Sequence, residues 1–500
     1  MGFLQQNLIP QAAWEAQVSA ASGVSQSSLR FGVAFLLYVV VNLIFRFVSG
    51  RNARLWYSLL TGIGLMYYPF GNGVFHAVAP SLLTYLFIRR FPDQAGTLTW
   101  LTVFPMLVYN HVCGASGMAW REGAIDFTGA QMVLTLRLIS AAVCVTDGRR
   151  LARFEATGEG RPLPPHAAQA ALRRAPGALE FASYLFAAGN LLAGPHYDLA
   201  EFREYVERDS NGPWALGAGL LRFLKALACL AGHLALSGNG LTADLYSSDR
   251  WAKASIARRV LLLWAVGFAF RLKYYFAWCV AESGLILSGQ DPPPTYSRHV
   301  NARVLAVELQ PSFAALTVSW NVQTGSWLRR YVYERLARPG VKPSVVTVLA
   351  TQVVSGVWHG LFPGYWAFFV TSAFLIEASK VVHRYEQSWP KAVRDSPVVW
   401  LLRCAYTSLK LNYTAAAFEV LTWTETIQVW RDVFFIGHLV TIVPLIMALV
   451  MPPKGNKARK HRKKPAPEPA KAPKIPEEAL STVGGAEDGA KEEAEVKKEK

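Results

Sequence analysis

A histidine and an asparagine lie in two aromatic, mostly apolar segments of this sequence. His359 occurs in VVSGVWHGLFPGYW, and Asn321 occurs in SWNVQTGSWLRRYVYERL. An ionisable side chain at membrane depth is costly and often functional, and an imidazole takes up a proton near neutral pH. His359 is therefore a candidate general base. The alternative is a neutral core histidine that bonds to a backbone carbonyl.

The segment around Asn321 predicts an amphipathic helix. At helical spacing, Asn321 and Thr324 fall near one face, as do Trp320 and Trp327. A side-chain amide can hold a hydroxyl substrate or a histidine in place, or donate to a developing oxyanion. The alternative is an interfacial helix that carries an aromatic belt.

The composition indicates a membrane protein. Of the 500 residues, 52% are hydrophobic and 17% are charged, and the mean hydropathy is +0.21, whereas soluble domains carry about 25% charged residues. Apolar runs recur along the chain, several of them interrupted by Pro or Gly. A helix crosses a bilayer with about 20 residues, so the pattern predicts an all-α polytopic bundle of about eleven transmembrane segments.

Three regions follow from this pattern. Residues 1–30 form a polar N-terminal segment, residues 31–451 the membrane domain, and residues 452–500 a low-complexity tail. The first apolar run begins too late, and is too long, for a cleavable signal peptide, so we expect an uncleaved signal anchor. The tail cannot bury a core, and we expect it to be disordered.

The formal net charge of +17 does not indicate a nucleic-acid partner. The basic residues cluster at the ends of apolar segments, as in Arg89-Arg90 and Arg149-Arg150, which is typical of membrane topology and of binding to anionic lipid headgroups. The five cysteines form no CxxC pair, so neither a disulfide framework nor a metal site is indicated. The sequence carries no signal for an oligomeric state.

The C-terminal tail opens with KGNKARKHRKK at the membrane exit, which favours a cytoplasmic C-terminus. It ends in Lys497-Lys498-Glu499-Lys500, and this dilysine form resembles an endoplasmic-reticulum retrieval signal. The alternative is chance in a lysine-rich tail. We therefore predict a multi-pass protein of the endoplasmic-reticulum membrane.

The two aromatic segments together resemble the membrane-bound O-acyltransferase family. WNVQTGSWLRRYVYERL and ATQVVSGVWHGLFPGYWAFF are closest to its lysophospholipid acyltransferase branch, particularly to plant-type members. Further strings agree, among them DFTGAQMVLTLRLIS, FRLKYYFAWCVAESGLILSG and NARVLAVEL. The resemblance covers the chain from about residue 50 to about residue 450.

The resemblance implies that His359 is the catalytic base and Asn321 its polar partner. It implies transfer of a fatty acyl group from acyl-CoA, a cosubstrate, to the free hydroxyl of a lysophospholipid, with no bound cofactor. Both substrates are amphiphiles, so the bundle is expected to enclose a chamber open to the cytoplasm and to the membrane lipids. The remaining candidate substrate contacts are Trp320, Gln323, Trp358, Tyr365 and, for phosphate groups, Arg329 and Arg330.

Several alternatives stay open. Arg329 and Arg330 could simply anchor the membrane edge. Polar residues elsewhere in apolar surroundings could line the chamber, although structural pairing is the favoured role; they are Glu180, Asn190, His196, Lys273, Glu282 and Glu308. The acceptor could also be a sterol, a diacylglycerol or a protein serine. A lipid transporter would predict inverted repeats and charged residues on broken helices at the midplane, and neither is evident.

Overall fold

The computed structural model describes residues 3–114, 121, 125–187, 190–192, 194–209, 211–337 and 345–452. Within these ranges the regular elements are helices, and a single antiparallel bridge joins Ala302 to Trp320. The prediction of an all-α fold is confirmed. Lys497 and Lys498 lie outside the described residues, and the division of the chain into three regions remains a prediction.

Eleven helices occupy the first half of the chain. They are α1 (Ala13–Ser22), α2 (Gln26–Phe45), α3 (Arg51–Phe70), α4 (Val78–Arg90), α5 (Ala95–Cys113), α6 (Thr128–Thr157), α7 (Pro165–Ala170), α8 (Ala178–Phe186), α9 (Leu199–Glu207), α10 (Leu216–Gly238) and α11 (Asp249–Ala252) among the described residues. Short 3₁₀ turns cover Phe3–Gln5, Gly71–Ala77 and Ala243–Ser247.

The second half carries the two aromatic segments. Its described helices are α12 (Ile256–Ser288), α13 (Val304–Glu308), α14 (Phe313–Leu316), α15 (Val322–Leu328), α16 (Glu334–Leu336), α17 (Val345–His359), α18 (Pro363–Glu386), α19 (Lys391–Arg394), α20 (Pro397–Val420), α21 (Trp423–Asp432) and α22 (Ile436–Val450). A π-helical stretch, Arg329–Tyr333, joins α15 to α16.

Six helical stretches of the described chain are long and apolar enough to cross a membrane. A seventh is possible if α21 and α22, which are bent by 76° at their junction, form one broken span. α17 is apolar but only 15 residues long, which is short for a lipid-facing span. A polytopic helical protein is therefore confirmed, and the number of about eleven spans remains a prediction.

Two long helices organise the bundle. α12 packs against α2, α10 and α20. α6 packs against α4 and α5, and most of its first 21 residues, 128–148, are buried. Both aromatic segments attach to α6, because the Trp327 indole donates to the Leu136 carbonyl at 3.0 Å and the Trp358 indole donates to the Met132 carbonyl at 2.9 Å. The two tryptophans thus fix the positions of α15 and α17 along the axis of the buried helix α6.

Candidate active site

His359 is the last residue of α17. The helix ends there because Gly360 has φ +136°, a conformation that L side chains rarely adopt. The next helix, α18, begins at Pro363, whose fixed φ suits the first helical position. The imidazole therefore lies at a break between two helices, and part of its surface is accessible.

The hydrogen bonding of His359 defines which ring nitrogen is available. Its Nδ1 lies 2.7 Å from the carbonyl oxygen of Ser355, one turn earlier in α17. A carbonyl oxygen only accepts hydrogen bonds, so Nδ1 carries the proton of the neutral ring. Nε2 is left with its lone pair and has no hydrogen bond to a described residue. This is the arrangement that a general base requires.

Aromatic rings surround the imidazole. Phe369 lies 4.8 Å from it, Phe418 5.3 Å and Tyr365 6.1 Å, measured between ring centroids. A close approach of α18 to α20 holds these rings together, since a Cβ at Gly364 would lie 2.1 Å from the Ala417 carbonyl oxygen. The immediate surroundings of the base are therefore apolar.

Trp358 is buried and serves as an anchor. Besides the bond from its indole to α6, its carbonyl oxygen lies 3.0 Å from Nε2 of His111, which is on α5. His111 carries no sequence motif, so reasoning from the sequence did not single it out. The predicted role of Trp358 as a substrate contact stays a prediction, and in the structure this residue holds its neighbour His359 in place.

Asn321 begins α15 with φ +46°, a left-handed conformation that asparagine tolerates better than most residues. Its Oδ1 accepts a hydrogen bond of 3.1 Å from the Asn301 side chain. Its Nδ2 makes no hydrogen bond with a described residue. A side-chain amide whose oxygen is occupied and whose NH₂ is free is oriented as a donor.

Asn301 holds this segment with three hydrogen bonds and is itself tied to α12 by a fourth. Its Nδ2 donates to Asn321, its Oδ1 accepts from the Gln323 backbone at 2.9 Å, and its carbonyl accepts from the Val322 backbone at 2.8 Å. Its own backbone N–H donates to a Glu282 carboxylate oxygen at 2.8 Å. Asn301 was missed at the sequence level, because its string was noted only as part of a resemblance.

Gln323 and Trp320 flank Asn321. The Gln323 amide donates to the carbonyl oxygens of Arg298 at 2.9 Å and Val300 at 3.2 Å, so its side chain closes a loop. The Trp320 ring packs edge-on against Trp278 at 4.9 Å. Asn321 and His359 thus belong to two separate clusters, and no hydrogen bond connects the two side chains.

A row of aromatic rings connects the two clusters. It runs from Trp320 through Tyr274 (5.8 Å), Phe270 (5.4 Å) and Phe418 (6.3 Å) to His359 (5.3 Å). We call these five side chains the ring path. Each is partly accessible although helices surround it. The ring path is therefore a continuous, partly accessible row of rings between Asn321 and His359.

The two arginines are paired with carboxylates. Arg329 donates to Glu334 at 2.8 Å, and its side chain is 74% exposed. Arg330 lies 3.3 Å from Asp198 and is 40% exposed. Both guanidinium groups keep free N–H donors on their exposed sides, so binding of a phosphate group there stays a prediction.

A buried histidine holds the loop that carries Asn301. His299 lies 3.6 Å from a Glu201 oxygen and 3.8 Å from an Asp291 oxygen. Burial works against its charged form, but the two carboxylates outweigh burial and raise the pKa of His299. The loop on the approach to the site is thus held by a charge that depends on pH.

Five of the six polar residues named above for their apolar surroundings are paired. Glu180 pairs with Arg203 at 2.6 Å, Glu308 with Arg271 at 2.8 Å, His196 with Asp198 at 3.2 Å, Asn190 with the Pro195 carbonyl at 2.9 Å and Glu282 with the Asn301 amide at 2.8 Å. The exception is Lys273. Among the described residues, no group of three or more His, Cys, Asp or Glu side chains could hold a metal ion.

Comparison with known proteins gives the same family as the motifs. The model of the membrane-bound O-acyltransferase family matches residues 112–413, a range that contains Asn321 and His359. Lysophospholipid acyltransferase 2 of Arabidopsis thaliana is 33% identical over 87% of this chain and 96% of its own length. Lysophospholipid acyltransferase 1 of the same plant is 32% identical over 88% and 98%, and human lysophospholipid acyltransferase 5 is 24% identical over 88% and 93%.

Proposed function

The chain belongs to the membrane-bound O-acyltransferase family, and on that premise we propose that it is a lysophospholipid acyltransferase. It transfers a long-chain fatty acyl group from acyl-CoA to the free hydroxyl of a lysophospholipid. The relatives that bear this name align over nearly their whole length. Acyl-CoA is a cosubstrate in this reaction, and we propose no bound cofactor.

One observation carries the proposal. The Nδ1 of His359 is engaged by the Ser355 carbonyl oxygen at 2.7 Å, which leaves Nε2 without a hydrogen bond to a described residue. A neutral imidazole fixed in this tautomer can remove a proton and later return it. The aromatic rings around it suit the acyl chains of both substrates.

The proposed reaction needs no covalent enzyme intermediate, because a thioester is already activated. Nε2 of His359 removes the proton of the lysophospholipid hydroxyl as that oxygen attacks the thioester carbonyl carbon. The tetrahedral intermediate collapses, the carbon–sulfur bond breaks, and the coenzyme A thiolate takes the proton from His359. The products are a diacyl phospholipid and free coenzyme A. General-base assistance of this kind contributes about 10²–10⁴-fold to the rate.

Asn321 is proposed to donate through Nδ2. It lies at the other end of the ring path from His359, so a substrate must extend along the path to reach both. The amide can hold a polar group of a substrate away from the reacting carbonyl, and the loss of one such hydrogen bond costs about tenfold or more. Bringing two amphiphiles together in one space provides a further entropic advantage.

The decisive experiment is an acceptor panel. Purified protein in lipid nanodiscs receives labelled oleoyl-CoA and, at equal surface concentration, lysophosphatidylcholine, lysophosphatidylethanolamine, cholesterol, diacylglycerol or a serine peptide. We expect the lysophospholipids to be acylated well ahead of the other acceptors, and His359→Ala to remove the activity. Preference for cholesterol or diacylglycerol would place the enzyme in another branch of the family. Movement of lipid without any acyl transfer would indicate a transporter.

The location in the endoplasmic reticulum, with a cytoplasmic C-terminus, is also a proposal. It is supported by the basic membrane exit and by the dilysine ending Lys497-Lys498. Substitution of both lysines by serine should let part of the protein leave the endoplasmic reticulum, without a change of activity in isolated membranes. Fractionation measures this, and an unchanged distribution would mean that the ending arose by chance.

A further inference from the structure

Lys273 lies in the middle of α12, between the Asn321 cluster and the His359 cluster. Its Nζ is 3.9 Å from the Phe270 ring centroid and 5.5 Å from that of Tyr274. Both rings belong to the ring path. Lys273 is exposed, and these ring contacts place its ammonium group beside the ring path.

The ammonium group is not neutralised by a direct contact. In the described part of the chain, no hydrogen bond and no ion pair within 4.0 Å involves Lys273, in contrast to the five polar residues that are paired. Its charge is balanced only at longer range, by Glu419. A cation in surroundings of low polarity is costly when it has neither water nor a counter-ion.

Glu419 supports this description of the site. It is buried, with 4% of its surface exposed, and it directly follows Phe418 of the ring path. One of its carboxylate oxygens accepts from the Tyr246 hydroxyl at 3.1 Å, and the other has no hydrogen-bond partner. Nearby Arg271 is already committed to Glu308 and Asn412. Among the described residues around Glu419, Lys273 is therefore a cation that remains available to a ligand.

We propose that Lys273 binds the phosphodiester group of the lysophospholipid acceptor. The inference rests on the proposed function and adds a subsite to it. A phosphate oxygen supplies the counter-charge that Lys273 lacks, in a charge-assisted hydrogen bond. In a lysophospholipid with a free central hydroxyl, that hydroxyl and the phosphate are on adjacent glycerol carbons. An acceptor held at Lys273 therefore presents its hydroxyl along the ring path towards His359.

The phosphates of acyl-CoA have the same chemistry, but two features favour the acceptor. Lys273 is a single cation at mid-helix, which matches the single negative charge of a phosphodiester. The nucleotide part of acyl-CoA carries several charges, and exposed arginines such as Arg329 are better placed to receive them. The experiment below separates the two ligands.

The test measures binding to the full chain in nanodiscs with hexadecylphosphocholine, which has one chain and a phosphodiester but no hydroxyl to acylate. We compare wild type, Lys273→Gln and Lys273→Arg with Lys410→Gln as the matched control. Lys410 also lies in a helix, with its Nζ 3.8 Å over the Tyr406 ring and without a hydrogen-bond partner, but unlike Lys273 it is buried. Lys410 is not part of the ring path.

Lys273→Gln should weaken hexadecylphosphocholine binding by about tenfold or more, the effect of losing one charged hydrogen bond. Lys273→Arg should retain most of the affinity, and Lys410→Gln should match wild type. Binding of monooleoylglycerol, which has no phosphate, and of oleoyl-CoA should stay within about twofold of wild type.

Three results would overturn the inference: unchanged hexadecylphosphocholine binding in Lys273→Gln, an equal loss of monooleoylglycerol binding, or a loss confined to oleoyl-CoA. The last would assign Lys273 to the donor. Failure of the proposed function is distinguishable, because it would show as tight phosphodiester binding without acyl transfer to lysophosphatidylcholine by the wild-type protein.

Discussion

At the scale of single residues, His359 and Asn321 have complementary hydrogen-bonding states. The Ser355 carbonyl oxygen occupies Nδ1 of His359 at 2.7 Å and leaves Nε2 as an acceptor. The Asn301 amide occupies Oδ1 of Asn321 at 3.1 Å and leaves Nδ2 as a donor. Acyl transfer requires one group of each kind, an acceptor for the hydroxyl proton and a donor for an oxygen of a substrate.

Replacement of His359 should remove the proton acceptor and little else. We expect His359→Ala and His359→Gln to lower kcat at least about a hundredfold, with normal expression and membrane insertion, because Trp358 still anchors the end of α17. Turnover of labelled oleoyl-CoA by the purified variants measures this. If either variant keeps more than about a tenth of wild-type turnover, His359 is not the base, since the loss is then far below a general-base contribution.

Asn301 should act through Asn321. We expect Asn301→Ala to lower kcat by about tenfold, the effect of one lost hydrogen bond, while the KM for oleoyl-CoA stays unchanged. Asn321→Ala should lower kcat further, and Asn321→Asp should not restore it, because an ionised carboxylate cannot donate.

The double variant Asn301→Ala/Asn321→Ala separates positioning from general stability. It should be no slower than Asn321→Ala alone, because once the donor is gone its orientation no longer matters. Two losses that multiply would show that Asn301 contributes to folding or to another part of the site.

At the scale of elements, the loop between α12 and α13 is the least regular part of the site, and it carries Asn301. Its anchor is His299, held between Glu201 of α9 and Asp291 of the loop itself. Arg298 joins the same group through Glu201 and Glu204. Part of the attachment of this loop to the bundle is therefore electrostatic, and that part should respond to pH.

The pH response has a definite sign. Because the folded pKa of His299 is raised, its stabilising charge is fully present below the unfolded pKa of about 6.5. The stabilisation is lost as the pH rises through the higher folded pKa. The unfolding temperature of wild type should therefore exceed that of His299→Gln at pH 6, and the difference should shrink at alkaline pH.

Thermal unfolding followed by intrinsic fluorescence from pH 6 to pH 10 measures this difference. A matched control is His383→Gln, because His383 is exposed near the end of α18 and should show no such trend. A constant difference between wild type and His299→Gln across this range would mean that His299 contributes packing and not charge.

At the scale of the whole molecule, the sequence predicted the fold class and singled out Asn321 and His359, but it did not predict that they lie in separate clusters or how the packing connects them. A short sequence motif indicates which polar side chain could take part in a reaction, and His359 and Asn321 stand out for that reason. The ring path combines residues of α12, α17 and α20 with Trp320. These elements are distant in sequence, so only the packing reveals it. His111, Asn301 and Glu419 were missed because each is an isolated polar residue whose partner lies on another element.

The ring path also predicts how the enzyme selects its donor by chain length. Its partly accessible rings offer an apolar surface to the acyl chain, and each CH₂ removed from water contributes up to about 0.8 kcal/mol. We expect kcat/KM to rise by at least about tenfold from decanoyl-CoA to oleoyl-CoA. This rise needs only a small part of the free energy that the additional CH₂ groups can contribute. The inhibition constant of free coenzyme A provides the reference, because it reports the nucleotide part alone. If the two donors are used equally well while free coenzyme A binds as tightly as either, the acyl chain does not enter the space along the ring path. The donor thioester would then have to reach His359 from elsewhere, and the ring path would serve the acceptor alone.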